Sequence, residues 1–191
     1  MKLKDLLLQS RSFRSFDASQ EITMDALCEW IDHARYAPSS INAQMLKFKP
    51  VCDKATCDAV LPLTRWAGKL RDIKLPPVGH EPTAYIVICL DTAIVKPMDI
   101  FLKDVGICAQ TIMLAASEDG FGGCMLGSFN ADAIKSVLHL PDTVVPHLVL
   151  ALGKPDETVE LTAPAADGSV TYYRENGIHY VQKRELNDII L

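Results

Sequence analysis

The segment Asp99 to Glu118, DIFLKDVGICAQTIMLAASE, constrains this chain more than any other. Its apolar residues do not keep to one stripe but recur on nearly every side of a helical projection. Such a helix is not half-solvated at a surface; it is buried by its own domain or by a partner chain. Gly106, Ala109, Ala115 and Ala116 keep parts of it thin, and Gly120 supplies a natural stop. A chain of 191 residues fits one domain and buries roughly 70% of the surface its unfolded form exposes.

The remaining elements follow from pattern and punctuation. A short amphipathic helix is expected over Lys2 to Gln9. Thr23 can cap a second helix, with Ile22 and Leu27 placed as a hydrophobic staple and Pro38 as the stop. Lys47 to Cys52 reads as a strand, and Thr56 to Leu70 as a helix interrupted near Pro62. Three prolines and Gly79 make 72–82 a loop. AYIVICL, residues 84–90, reads as a buried strand, as does HLVLAL, 147–152, ended by Gly153-Lys154-Pro155. Cys124 to Leu126 is a short strand, and Asn130 can cap a helix from Ala131 to Leu138. From residue 156 the chain is polar and ends in VQKRELNDIIL. Residues 1–191 are therefore expected to form a single domain, with 156–191 as an extended C-terminal arm. An arm with an apolar end docks on something, and a second subunit is the economical candidate.

Charge and composition narrow the function classes. A net charge of -5 argues against non-specific nucleic-acid binding, so any anion site must be local. No run reaches the roughly 18 apolar residues of a membrane span. Lys2, Lys4 and Asp5 interrupt what would be a signal-peptide core, which points to the cytoplasm. The six cysteines make no CxxC pair and read as free thiols, and no metal site is expected. The five histidines are scattered and read as structural.

Four short constellations carry chemistry. Ser10-Arg11-Ser12-Phe13-Arg14 sets two guanidinium forks and hydroxyls between helices, a chemistry that matches phosphate oxygens. Pro38-Ser39-Ser40-Ile41-Asn42 offers uncharged donors and acceptors on a stiffened loop, suited to a heteroaromatic edge or a ribityl chain. Gly120 to Phe129 is glycine-rich, which lets backbone approach a ligand, but it matches neither a dinucleotide fingerprint nor a P-loop. Lys183-Arg184 is a second basic pair near the other end of the chain. Each alone is ordinary: a basic turn, a polar loop, a helix-to-strand turn, a surface charge pair.

In this order, the four resemble the nitroreductase family of flavoproteins. RS-x-R, PSSINAQ, GFGGCMLGS, the Asp104-x5-Gln110 spacing and the tail VQKREL all fit, and the match spans nearly the whole chain. The resemblance implies an α+β, three-layer fold: a central, mainly antiparallel sheet flanked by helices. It also implies a homodimer with shared active sites and a C-terminal arm wrapping the partner. It places Arg11, Ser12, Lys183 and Arg184 on an FMN phosphate and ribityl chain, Arg14 on the pyrimidine side, and Pro38, Ser39, Ser40 and Asn42 from the partner on the ring. The backbone at Leu126, Gly127 and Ser128 would face flavin N5, and Lys154 is a lesser phosphate candidate. Ser10 departs from the family, which often has a second arginine there, and Met45-Leu46 stands for the usual Pro-Trp.

The resemblance implies an FMN-dependent oxidoreductase that takes hydride from NAD(P)H and passes it to nitroaromatics, quinones or similar small-molecule acceptors by a ping-pong mechanism. The flavin carries the chemistry, so no catalytic side chain is demanded. Two other readings are open: a flavin-binding protein for storage or sensing, and a specialised reductase on the same fold, such as a dehalogenase.

Overall fold

The structure is a computed structural model and describes residues 2–70 and 72–191. Its main sheet is wholly antiparallel and hangs on one long strand. In chain order the elements are α1 (Leu3–Gln9), β1 (Phe16–Asp17), α2 (Met24–Arg35), β2 (Leu46–Val51), α3 (Lys54–Val60), β3 (Ala84–Asp91), α4 (Phe101–Glu118), β4 (Gly122–Leu126), α5 (Ala131–Val137), β5 (Val144–Pro155), β6 (Thr158–Thr162), β7 (Tyr173–Glu175) and β8 (Ile178–Gln182). The sheet order is β1-β5-β3-β2, with β4 also pairing β5. Residues Val149 to Leu152 of β5 pair with both β3 and β4, so those two strands lie on its opposite edges.

Period-two alternation divides the core. Ala84, Ile86, Ile88 and Leu90 of β3 point to one side, with Leu150 and Leu152 of β5, against α2 and α4. Tyr85, Val87 and Cys89 point to the other, with Val149 and Ala151, toward α3 and α5. Both faces of the sheet are covered, which gives three layers and explains why β3 reads as a continuous apolar run rather than an alternating one. The α+β fold expected from the sequence is what the chain adopts.

Local chemistry sets most boundaries. Thr23 Oγ1 accepts from Ala26 N–H at 3.2 Å, and Asn130 Oδ1 accepts from Ala133 N–H at 3.1 Å, so both helices start at their expected caps. Ile22 and Leu27 are both buried in the α2–α4 core, as a staple requires. Gly120 takes φ +78° just past α4. The indole N–H of Trp30 in α2 donates to Asp119 at the end of α4 at 2.7 Å, which satisfies the polar end of a buried side chain. Most of α4 is buried by this domain, but Leu102 and Ile107 stand on an exposed face. No helix among the described residues is long and apolar enough to cross a membrane.

Three expectations need correction. The helix expected over 56–70 ends at Val60 in a single 3-10 turn, Leu61–Leu63. Pro62 lies in that turn, and Thr64 then adopts an extended conformation and bridges to Phe129. The strand expected to end at Gly153 instead continues to Pro155, because Lys154 and Pro155 pair with Asp17 and Phe16. The tail is not simply extended. Residues 158–182 form a three-stranded sheet, β6-β8-β7, with β7 and β8 joined at Asn176-Gly177. Both turn residues have positive φ, 50° and 79°, the pattern of a type I′ hairpin.

Gly153 is where β5 and β1 press together. A Cβ there would lie 2.7 Å from Phe16 Cδ1, and Phe16 is fully buried. Gly153→Ala is expected to destabilise the protein by about 1–3 kcal/mol through overpacking, read as a lower urea midpoint. An unchanged midpoint would mean that Phe16 can move aside.

Candidate functional site

The two ends of the chain meet on one cavity of about 340 Å³. Ser10, Arg11, Ser12 and Arg14 line it from the segment after α1. Gln110 and Met113 come from α4, and Met125 from β4. Tyr172, His179, Val181 and Lys183 come from the tail. A second cavity of about 330 Å³ lies at the start of α3, but it is lined by Glu21, Asp58 and Glu81, and the Nζ of its Lys54 is held by Asp58 at 2.7 Å. Its charge is wrong for a phosphate; that of the two-ended cavity is right.

The basic loop is fixed by backbone before its side chains act. Ser12 bridges to Gly123 of β4, and Phe13 N–H donates to the Gly123 carbonyl at 2.9 Å. A Cβ on Gly122 would fall 2.7 Å from Phe13 Cδ2, so glycine there admits the loop. From the other side, Asp156 N–H donates to Ser15 O at 3.1 Å. The Glu157 carboxylate accepts from the backbone N–H groups of Arg14 and Ser15, the latter at 3.1 Å. It also pairs with Arg174 of β7, and its side chain is only 5% exposed. Glu157 thus ties the basic loop to the tail sheet. A buried carboxylate with three donors is stably held; with one removed it is a liability.

The guanidinium groups are positioned but not used up. Arg11 is half-buried and donates through Nη2 to the Leu7 carbonyl in the last turn of α1. Burial lowers its pKa from the ordinary value. Arg14 is buried, with Nη1 3.2 Å from both Ser12 O and His179 Nε2. The Nε atoms of Arg11 and Arg14 are buried without a hydrogen-bond partner among the described residues. Two cationic donors left unpaired beside one cavity call for an anionic or electron-rich ligand, because such donors are rarely left unsatisfied.

The structure sorts the sequence candidates. Arg11, Ser12, Arg14 and Lys183 share the cavity. Arg184 does not line it: His179 and Val181 of β8 and Lys183 just beyond it face the cavity, and Arg184 lies two residues past the end of the strand. Lys154 is occupied elsewhere, donating to Gly120 O at 2.8 Å beyond α4. Leu126 is buried in the core, while Gly127 and Ser128 are exposed just beyond it. An added Cβ at Gly127 would meet nothing within 4 Å among the described residues, so neither packing nor a positive φ explains that glycine. Ser128 borders a separate opening with Arg65 and Asn130.

Pro38, Ser39, Ser40 and Asn42 lie away from the cavity of their own chain. Ser40 is clasped by Asp104 of α4: its N–H lies 3.0 and 2.9 Å from the two carboxylate oxygens, and its hydroxyl donates at 2.7 Å. Asp104 is buried at 2% exposure. Just beyond the clasp, Ile41, Asn42 and Gln44 have φ of 50°, 53° and 49°. A β-branched residue in the left-handed region is strained. The loop presents Ile41 at 73% exposure. Met45, in contrast, is fully buried between α2 and α4, so this departure from the family lines no site.

His179, Tyr172 and Glu157 were not picked out from the sequence. Asn176-Gly177 is the one signal that could have found His179, since a hairpin there returns β8 toward the cavity. Burial, with Arg14 and Arg174 adjacent, pushes the His179 pKa down to about 4.

The chain matches the profile of the nitroreductase family over residues 7–154. A Methanothermobacter thermautotrophicus protein named "putative NADH dehydrogenase/NAD(P)H nitroreductase" is 23% identical over 161 residues, covering 82% of this chain and 79% of that one. A nitroreductase family protein from Clostridium novyi NT has a TM-score of 0.67 and 25% identity, covering 81% of this chain and 87% of its own. An FMN-dependent nitroreductase from Clostridium difficile R20291 is similar in fold, with a TM-score of 0.66 and 22% identity over 86% of this chain and 93% of its own.

Two outcomes follow from the geometry. Glu157→Gln strands Arg174 and is expected to cost about 3 kcal/mol in urea unfolding; a loss under about 0.5 kcal/mol would deny the clamp. For His179 the folded pKa lies below the unfolded value of 6.5. Below that value the unfolded chain takes up a proton that the native chain refuses. Stability is therefore lost as pH falls from 6.5 toward 4, by on the order of 3 kcal/mol in full. His179→Gln should show a shallower loss between pH 7 and 4.5, and parallel curves would contradict it.

Proposed function

The chain belongs to the nitroreductase family, and from that premise we propose that it is an NAD(P)H-dependent oxidoreductase working through FMN held in the two-ended cavity. The observation that carries this reading is the pair of buried, unpartnered guanidinium Nε groups of Arg11 and Arg14 beside Lys183, in a chain of net charge -5. When bound, FMN supplies acceptance of a hydride from a nicotinamide and its delivery to a small-molecule acceptor such as a nitroaromatic or quinone, in ping-pong order.

The residues of the chain bind and tune. Arg11 and Lys183 hold the phosphate, with Ser12 beside them, and the cation missing at Ser10 leaves these two to carry it. Arg14 faces the pyrimidine side, where its fixed positive charge favours negative charge on the ligand in a water-poor site. The open space over Gly127 lets a ring approach backbone at the end of β4. No side chain here need gain or lose a proton for the ligand to be held.

The site is completed by a second copy of the chain. The strained loop at Pro38, Ser39, Ser40 and Asn42 lies off its own cavity and is available to a partner's. Leu102 and Ile107 on α4, Leu3, Leu7 and Leu8 on α1, and Leu186, Ile189 and Ile190 in the tail are all exposed. Apolar surface of that extent is what an obligate homodimer covers. A partner seated there would cover what the domain leaves bare on α4.

The purified protein should be yellow or bind added FMN, and anaerobic NADH or NADPH should bleach the flavin absorbance. Colourless protein whose melting temperature ignores added FMN would overturn the cofactor reading; bound flavin that never bleaches would leave a flavin-binding protein without turnover. Arg11→Ala and Lys183→Ala are each expected to weaken FMN binding by about 1.5–3 kcal/mol. Arg184→Ala should change it far less, and an equal loss there would mean that the proposed site is misplaced.

A further inference from the structure

His179 is 1% exposed and faces the most buried cation of the site. Its Nε2 lies 3.2 Å from Nη1 of Arg14. A guanidinium has donors only, so Nε2 must present its lone pair and the imidazole must be neutral, with its proton on Nδ1. The remaining contacts bracket the same group. Ser12 O accepts from Nη1 at 3.2 Å, and the Arg14 Cζ stands 5.4 Å from the centre of the Tyr172 ring. That ring in turn packs edge-on to His179 at 5.4 Å. These contacts leave the Nε of Arg14 without a partner, and Nδ1 of His179 is likewise buried without one among the described residues.

We propose that His179 is a positioning residue for flavin redox chemistry: its neutral imidazole aligns Arg14 so that the free guanidinium edge meets the electron-rich side of the bound flavin ring and favours its reduced form. The inference rests on the reading of the cavity as the FMN site. The choice of side chain carries the argument. A leucine would fill the space but leave Nη1 undirected. A glutamate would direct it but cancel the charge that Arg14 brings. A neutral acceptor of this size orients the guanidinium while preserving its charge.

The surroundings keep the histidine in that state. Arg14 faces it from the N-terminal loop, and Arg174 sits in register opposite it on β7. Glu157, the nearby carboxylate, is committed to Arg174 and to the backbone of Arg14 and Ser15. Tyr172 covers one side, and the Cys124 thiol, whose pKa burial raises against the opposing pull of Arg14, lies close by. Two arginines against one engaged carboxylate oppose protonation, in line with the depressed pKa of about 4.

The test measures the FMN dissociation constant and the two-electron midpoint potential of bound FMN at pH 7. The proteins are wild type, Arg14→Ala, His179→Leu, His179→Gln, His179→Glu and the double variant Arg14→Ala/His179→Leu. His179→Leu is expected to lower the preference for reduced over oxidised flavin by roughly tenfold, ~30 mV for a two-electron couple. Arg14→Ala should do at least as much, and the double variant no more than Arg14→Ala alone. His179→Gln, which keeps a neutral acceptor, should restore most of the potential. If His179→Leu does not fold, His179→Glu carries the test: it should lower the potential by cancelling the charge. A wild-type potential in His179→Leu or His179→Glu, or additive effects in the double variant, would overturn the proposal. So would an unchanged potential in Arg14→Ala, and that result would leave FMN binding itself intact. Wild-type protein that binds no FMN would instead remove the cavity reading, and this inference with it.

Discussion

The hydrogen bonds of β5 are what the rest of the structure depends on. Three other strands pair with it directly, and β2 is attached only through β3. Its alternate residues supply both core layers. It also runs past Gly153 far enough to bring Asp156 and Glu157 beneath the basic loop. The strand that organises the core therefore ends as the anchor of the site, and no flexible linker separates the two. Glycine at 122 and 153 is required by this arrangement, since Phe13 and Phe16 occupy the volume where side chains would stand.

Much of the fold was legible because local chemistry and tertiary packing agree. Thr23 and Asn130 cap the helices they precede, and the apolar run at 84–90 is a central strand. Disagreement explains the failures. The helical pattern past Pro62 was overridden when Thr64 found a bridge across to Phe129. The strand past Gly153 was invisible because a Gly-Lys-Pro sequence looks like a stop, yet its partners come from residues 16 and 17. The tail was read through its composition, and Asn176-Gly177 was passed over although a two-residue turn of that kind pairs strands on its own.

The site was legible as chemistry and less so as geometry. Arg11, Arg14 and Lys183 were chosen for charge and Ser12 for its hydroxyl, and all four line one cavity. Arg184 was chosen for its charge too and is not among the cavity's lining residues; it stands past the end of β8, where the chain has left the strand. Which side of the tail faces the cavity cannot be read until the hairpin that returns it is recognised. His179 was dismissed with four other histidines for the same reason: its role depends on a contact across 165 residues of chain. Asp104 entered as half of a spacing pattern. What it does, clasping Ser40 beneath a strained loop, needs the packing of α4 to be known.

Because Arg11 and Arg14 come early in the chain and His179 and Lys183 late, the ribosome makes the two halves of the cavity at different times. Synthesis proceeds at about 5–20 residues per second, and domains fold as they emerge. The main sheet has all its strands once Pro155 is out, whereas the hairpin at Asn176-Gly177 follows later. The core can therefore consolidate before the tail closes the cavity beside the basic loop. If the cavity holds the cofactor proposed for it, a chain stopped short of that hairpin would lack the residues that hold it, so cofactor loading would mark translation through the hairpin in a way that solubility does not.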